Sequence, residues 1–306
     1  MVSEQQDGLN INVRGTTETR CGYVAIVGAP NSGKSTLMNA LVGERLSIVT
    51  PKPHTTRNRV LGIITDPNRK AQVIFLDTPG FIREPRYRLQ EVMAGQITRS
   101  LHDCDVVLAL FDLEKDDPNI RKNILRAVEE SGKPAIFLLN KVDAVESEPD
   151  YSLYPDGAIA ISALHELNLG PLGDAIAAHL PVGPYLYPPE TIAEQPERFF
   201  VAELIRETIF EQMKLEVPYT TAVGIDEFVE RDPKDFIHAT ILVDRDSQKG
   251  IMIGKGGAQL KRIGQFSRSK IEEFLGRPVY LELHVRVKRD WMKQDSALRD
   301  LGYLEG

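Results

Sequence analysis

The stretch GAPNSGKS, Gly28 to Ser35, has the spacing G-x-x-x-x-G-K-[ST], in which two glycines let backbone N–H groups turn inward and wrap a phosphate. In that arrangement Gly28, Ala29, Pro30, Asn31, Ser32 and Gly33 form the wrap, Lys34 reaches the β and γ oxygens, and Thr36 closes the nucleotide-binding stretch. Ser35 offers a hydroxyl to Mg²⁺. Further along, Asp77-Thr78-Pro79-Gly80 ends an apolar run. This sets the Asp77 carboxylate toward the same metal through water and lets Gly80 bring an N–H against a γ-phosphate. Lys34 and Gly80 are therefore catalytic candidates as well, since donors of this kind meet the charge that phosphoryl transfer develops.

A third segment chooses the base. In LLNKVD the Asp143 carboxylate can accept both the N1–H and the N2–H₂ of guanine, a donor pair that adenine lacks. Asn140 ties this loop to the phosphate loop and contacts the base, and Lys141 stacks along its plane. In Ser162-Ala163-Leu164 the Ala163 N–H is expected to reach guanine O6. Each later segment alone is equally well an ordinary turn at a strand end, but the four in this order select GTP and GDP as ligands.

Residues 251–264, IMIGKGGAQLKRIG, hold a second glycine-lysine loop. Residues 249–270 contain six Lys or Arg and no Asp or Glu; removing that +6 from the net −7 leaves −13 on the remainder. A local basic face on an acidic body suits an anionic partner. Gly254 to Gly257 resemble the GxxG loop of KH domains, where a glycine turn between two helices lets the backbone approach a nucleic-acid strand. Ile253, Gly254, Lys255, Gly256 and Gly257 are the expected contacts, with Lys261, Arg262, Arg268 and Lys270 beside the groove and Ile251, Ile253 and Ile263 as an apolar floor. Helix-loop-helix turns also need glycine for purely structural reasons; the acid-free surroundings favour RNA.

These motifs need elements to hold them. Between residues 20 and 182, short Val/Ile/Leu runs alternate with helix-like stretches, the pattern of a mostly parallel sheet covered by helices on both faces. The runs RVLGIIT and AQVIFLD, joined by DPNRK, read as an antiparallel hairpin within it. The prolines and glycine of LPVGPYLYPPE, residues 180–190, break the pattern. Helix, two strands, two helices and a strand follow, a small α+β unit. The expected division is a flexible extension over 1–20, an α/β P-loop GTPase domain over 21–182, a linker over 183–197 and an RNA-binding domain over 198–306.

Composition narrows the class. Cys21 and Cys104 lack any CxxC spacing or histidine cluster, which opposes a zinc site or a disulfide framework and fits a reducing cytoplasm. The polar first twenty residues lack a secretory signal, and no apolar run is long enough to span a bilayer.

With these residues in view, the chain resembles the translation-factor class of regulatory GTPases and, within it, the Era family of bacterial ribosome-assembly GTPases. The resemblance runs from about Tyr23 to the end. It rests on GAPNSGKSTLMNAL, PHTTR, DTPG, NKVD, ISAL, GPYLYP, ERFFVAELIRE, HATILVDRDSQKGIMIGKGG and LRDLGY. It implies a GTPase domain followed by a type II KH domain, Mg²⁺ as cofactor, and binding near the 3′ end of small-subunit (16S) ribosomal RNA during assembly of the 30S subunit. It also implies a cytoplasmic monomer with peripheral contact to the cytoplasmic membrane face. PHTTR offers Thr55 and Thr56; the resemblance selects Thr56, before Arg57, as metal ligand and catalytic residue.

Phe81 stands where many GTPases carry the glutamine that orients water, and it cannot hydrogen-bond to water. In similar GTPases lacking that glutamine, the residue equivalent to Asn31 binds K⁺ beside the phosphates, which makes K⁺ a second expected cofactor and Asn31 a catalytic candidate. Three departures bear on switch kinetics: His54 in place of the usual glutamine, the sequence FIREPRYRLQEVM, and the absence of glycine after SAL. The rival reading is a membrane-surface or signalling GTPase without RNA, with Trp291 in VRVKRDWMK as interfacial anchor; an enzyme using GTP on small molecules has no second set of catalytic residues to support it.

Overall fold

Parallel strands covered on both faces require unbroken apolar runs, and these build the larger of two sheets. The computed structural model describes residues 18–53, 55–82, 84–145 and 149–304. His54, Arg83 and most of the expected N-terminal extension lie outside the described residues. The N-terminal unit comprises β1 (Arg20–Gly28), α1 (Lys34–Val42), β2 (Val60–Asp66), β3 (Ala71–Asp77), α2 (Arg88–Asp103), β4 (Val106–Asp112), α3 (Pro118–Ser131), β5 (Ala135–Asn140), β6 (Ile159–Ile161) and α4 (Leu169–His179). The sheet order is β2-β3-β1-β4-β5-β6. Within it β2 and β3 pair antiparallel, as the short turn between them dictates.

Alternate residues of each strand serve opposite faces. Val24, Ile26, Phe75 and Leu108 pack with Leu37 and Met38 of α1 and Leu172 and Ile176 of α4. Ala25, Val27, Leu76 and Val107 pack on the other side with Ile97 and Leu101 of α2 and Ile124 and Val128 of α3. All strands but β2 run in one direction, so the ends of β1, β3 and β5 open together onto one rim, where an open α/β sheet holds its ligand.

The C-terminal unit follows the order α5 (Glu197–Gln212), β7 (Ala222–Val229), β8 (Asp235–Val243), α6 (Asp246–Ile253), α7 (Ala258–Leu275), β9 (Val279–Val287) and α8 (Asp295–Asp300). Its sheet is β7-β8-β9, with β8 antiparallel to β7 and parallel to β9. Ile237, Ala239, Ile241 and Val243 point toward Val201 and Ile205 of α5 and Ile263 and Ile271 of α7. Met252 of α6 joins the same cluster, so α5, α6 and α7 cover one face.

The segment between the units is fastened rather than loose. Buried Gln72 of β3 accepts the N–H groups of Leu186 (2.8 Å) and Tyr187 (3.0 Å) at Oε1, while its Nε2 donates to Tyr187 O at 2.8 Å. Ile63 N–H donates to Ile192 O at 2.8 Å, extending the edge of β2. At the other contact, Leu89, Val92 and Met93 of α2 share a cluster with Trp291, Leu298 and Tyr303. Trp291 is fully buried and its indole N–H donates to Thr220 O at 2.9 Å. The exposed membrane anchor considered from sequence is thus corrected: the ring fills an interface where its one polar atom finds a carbonyl.

Replacing Gln72 by Leu strips partners from two N–H groups and one carbonyl of the connecting segment. The expected outcome is a loss of about 2 kcal/mol in urea unfolding, with faster hydrogen exchange at Leu186 and Tyr187.

Candidate functional site

At the rim of the large sheet the loop Gly28–Gly33 lies beside the end of β5. Gly33 has φ 97°, and a Cβ there would stand 2.2 Å from Asn140 Nδ2. Only glycine meets both demands. The Asn140 amide donates to Ser32 O at 2.8 Å and its Oδ1 accepts the Ala163 N–H at 2.9 Å. One carboxamide thus joins the phosphate loop, β5 and the loop after β6. Lys34 is buried, with Nζ donating to Ala29 O (2.7 Å) and Gly28 O (3.2 Å). Burial pushes its pKa down to about 8, with Asp77 opposing.

Three oxygens gather next to Lys34. Ser35 Oγ donates to Asp77 Oδ2 at 2.7 Å and lies 3.0 Å from Thr56 Oγ1. Asp77 is fully buried, its Oδ1 has no hydrogen-bond partner, and burial raises its pKa. A buried carboxylate oxygen left unpaired beside two hydroxyls is a donor set suited to a hard, oxygen-seeking cation. Thr55, by contrast, spends its hydroxyl on Lys52 O (2.7 Å) and Thr50 Oγ1 (3.0 Å). Asn31 is exposed in the left-handed region, φ 63°, and donates to Pro51 O at 2.8 Å.

Gly80 passes so close that a Cβ would stand 2.7 Å from Pro30 Cα, and Phe81 N–H donates to Gly28 O at 3.1 Å. Thr78, fully buried, donates its hydroxyl to Ile26 O at 2.8 Å. Phe81, half-buried, packs against the edge of the sheet core.

A cleft of about 500 Å³ runs from Lys34, Ser35 and Thr36 past Thr56 to Lys141, Asp143 and Leu164. At its base end Asp143 Oδ2 lies 3.6 Å from His165 Nε2. Ala163, expected to offer its N–H to a guanine carbonyl, lines this end of the cleft, and that N–H donates to Asn140 Oδ1, a buried amide oxygen that needs its own donor.

Sequence reading missed Asp112 and Glu114. Lys141 Nζ meets Asp112 Oδ2 at 2.6 Å and Glu114 Oε2 at 3.2 Å. Burial lowers the Lys141 pKa, but these carboxylates outweigh it and the net shift is upward. The available signal was positional: Asp112 ends a buried apolar strand, as Asp77 and Asn140 do.

The second loop lies between α6 and α7, with Gly254 at φ 72°, Gly256 at 59° and Gly257 at 80°. A Cβ on Gly254 would stand 2.7 Å from Gln259 Cβ, whereas Gly256 and Gly257 face open space. Lys255, Lys261 and Arg262 are exposed, and the Arg262 guanidinium lies 5.7 Å from the centre of the Phe266 ring. Phe266, 46% exposed, is a third residue that sequence reading missed. Its place one turn beyond Arg262 makes a stacking surface for a base. Ile251 lines a shallow groove with Met213, Lys214 and Gln259, and Ile253 is half-buried.

Two expectations fail at this loop. Ile263 is fully buried in the small core and cannot floor a groove. Lys270 stands twelve residues into α7, about 18 Å along the axis at the helical rise. Its ammonium is bonded to Glu207 Oε2 (2.9 Å) and Glu211 Oε1 (2.7 Å). Arg268 is exposed and 3.9 Å from Glu272.

A 50S ribosome-binding GTPase family model matches residues 23–141, and a KH domain model matches residues 216–292. The GTPase Era of Heliobacterium modesticaldum is 41% identical over 296 residues, covering 94% of this chain and 98% of its own. That of Staphylococcus haemolyticus is 38% identical over 298 residues, covering 94% and 99%. A crystal structure of Aquifex aeolicus Era bound to GDP·AlF₄⁻ superposes with a TM-score of 0.88 at 39% identity, covering 94% of this chain and all of that one. An Era crystallised with MgGDPNP and nucleotides 1506–1542 of 16S ribosomal RNA gives 0.89 at 39% identity, with the same coverage.

Asp112→Asn removes the charge that aims Lys141 along the cleft. Fluorescence titration with a labelled GDP is expected to show affinity about tenfold weaker, the size of one charge-assisted hydrogen bond; unchanged affinity would leave Asp112 with a folding role only.

Proposed function

The chain belongs to the Era family of GTPases, and from that premise we propose that it is a cytoplasmic GTP-hydrolysing switch that binds 16S ribosomal RNA and acts in assembly of the 30S subunit. The observation that carries this reading is the presence in one chain of an Asn140-braced phosphate loop and an open glycine loop in an acid-free segment. The related Era crystallised with MgGDPNP and a 16S ribosomal RNA fragment supports ligands of both kinds.

In this reading backbone N–H groups between residues 31 and 36 bind the α and β phosphates, Lys34 and Gly80 meet the γ-phosphate, and Asp143 accepts from guanine while Lys141 covers its ring. Ser35, Thr56 and Asp77 hold Mg²⁺, the fit being supported by the unpaired Asp77 Oδ1. When bound, the ion offsets charge on the β and γ phosphate oxygens. The Phe81 side chain, half-buried against the core, has no group that can hydrogen-bond to water and so does not orient it. Asn31, whose amide already links the phosphate loop to Pro51 O, is the K⁺-binding candidate.

RNA enters at Ile253 to Gly257, with Lys255, Lys261 and Arg262 attracting phosphates and Phe266 stacking on a base; Arg268 extends the basic edge. No helix among the described residues is long and apolar enough to cross a membrane. Buried Trp291 removes the anchor on which a membrane-surface reading depended.

The deciding measurement is affinity for a short single strand matching the small-subunit RNA 3′ end, with GDP and with a non-hydrolysable GTP analogue. A difference of about tenfold, or 1.4 kcal/mol, is expected between the two states, with reciprocal coupling to nucleotide. Gly256→Asp, which adds an anion at a left-handed position that Asp tolerates, should abolish binding in both states; no RNA binding by the unaltered chain would remove the RNA half of the reading. Exchanging K⁺ for Na⁺ should slow GTP hydrolysis about tenfold if Asn31 seats an ion that takes the place of a catalytic cation, and equal rates would dismiss it.

A further inference from the structure

Thr56 is followed in sequence by a side chain that lies wholly in the other unit. Arg57 is 3% exposed. Its Nη1 donates to Thr221 O at 2.7 Å, and its Nη2 to Tyr219 O at 2.7 Å and Pro218 O at 3.4 Å. The guanidinium also stands 5.8 Å from the centre of the Trp291 ring, whose N–H takes the neighbouring Thr220 O. These carbonyls belong to the short turn Val217–Thr220 and the residue after it; Pro218 O also accepts the Thr221 N–H at 3.4 Å, while the Tyr219 and Thr221 carbonyls stand at the helical end, where the last C=O groups lack partners within the turn. A planar fork that spreads over several acceptors and stacks on a ring is a task for arginine, which lysine cannot copy.

The same segment is pinned at two earlier points. Lys52 Nζ donates to Phe210 O and to Met213 O (2.6 Å) at the end of α5. Arg45 Nη2 and the Val49 N–H reach Glu207 Oε1 at 2.7 and 3.3 Å. Thr50, Pro51, Thr55 and Thr56, which line the nucleotide cleft, are thus strung between anchors in the C-terminal unit. A free loop loses conformational entropy when it closes over a ligand, whereas an anchored one has lost much of it beforehand.

We propose that Arg57 is a positioning residue for GTP: seated in the carbonyl cage of residues 218–221, it holds the Thr56 hydroxyl beside Ser35, so that the C-terminal unit supplies part of the preference for triphosphate over diphosphate. This rests on the GTP-switch reading above. GDP has no γ-phosphate for Thr56 to serve, so the anchor acts on one nucleotide and not on the other. By linkage, the γ-phosphate in turn strengthens docking of the two units.

The test measures affinities of the full chain, with Mg²⁺, for labelled GDP and for a labelled non-hydrolysable GTP analogue in Arg57→Ala, Arg57→Lys and Lys52→Ala. Arg57→Ala is expected to lose about tenfold for the GTP analogue and less than about twofold for GDP, with Arg57→Lys between it and the unaltered chain and Lys52→Ala showing the same pattern more weakly. Retained GDP affinity also shows that each variant is folded. Equal losses for both nucleotides would mark Arg57 as a general interface staple, and an unchanged GTP-analogue affinity would remove its role altogether; either overturns the inference. If the unaltered chain bound neither nucleotide, the GTP-switch reading would fall first and the inference with it.

Discussion

The Asn140 carboxamide is the constraint on which the nucleotide cleft depends. Buried, it donates to Ser32 O and accepts from Ala163 N–H, so the phosphate loop and the loop after β6 are referenced to the end of one central strand. Its closeness to Gly33 forbids any side chain there, and the left-handed turn at Gly33 sets where α1 begins and hence where Lys34 and Ser35 point. Parallel strands aim all these loops at one rim. Bracing by a fully bonded buried amide is rigid, because leaving either end unpaired in the interior is costly.

The two glycine-lysine loops share a physical device and differ in setting. Both use left-handed glycines to bring backbone close to a ligand. The first is enclosed: its lysine is buried and its neighbours crowd the missing side chains. The second is open on the outer side of Gly256 and Gly257, and Lys255 is exposed. An enclosed loop suits a small phosphate group, and an open one suits a strand that enters and leaves.

Charge placement contributes to how the two units dock. Glu207 is fully buried on α5 and meets Arg45 from one side and Lys270 from the other. A buried carboxylate stripped of every cation would cost about 3–5 kcal/mol, but withdrawal of Arg45 leaves Lys270 in place. Lys270 is thereby spent inside the protein, which is why its charge does not count toward the basic face around the glycine loop. The linker adds a further restriction. It is held by Gln72 and by the edge of β2, so it is fastened to the large sheet, while Lys52, Arg57 and α2 make the contacts with the C-terminal unit.

The sequence by itself determined the elements and the loop motifs. Apolar runs, the β2–β3 turn, the glycines with positive φ and the spacing of the phosphate loop are set by interactions among residues close in the chain. Fold class and most cleft-lining residues were legible for that reason. Tertiary structure alone decided which side chains pair across long separations: Gln72 with Tyr187, Asp112 with Lys141, Glu207 with Arg45, Arg57 with Thr221. It also turned Ile263 and Trp291 inward, spent Lys270 on Glu207 and gave the Ala163 N–H to Asn140. Periodicity tells which face of an element is apolar, but the partner of a buried polar group is fixed only when whole elements pack, since each donor takes the acceptor that packing leaves nearest.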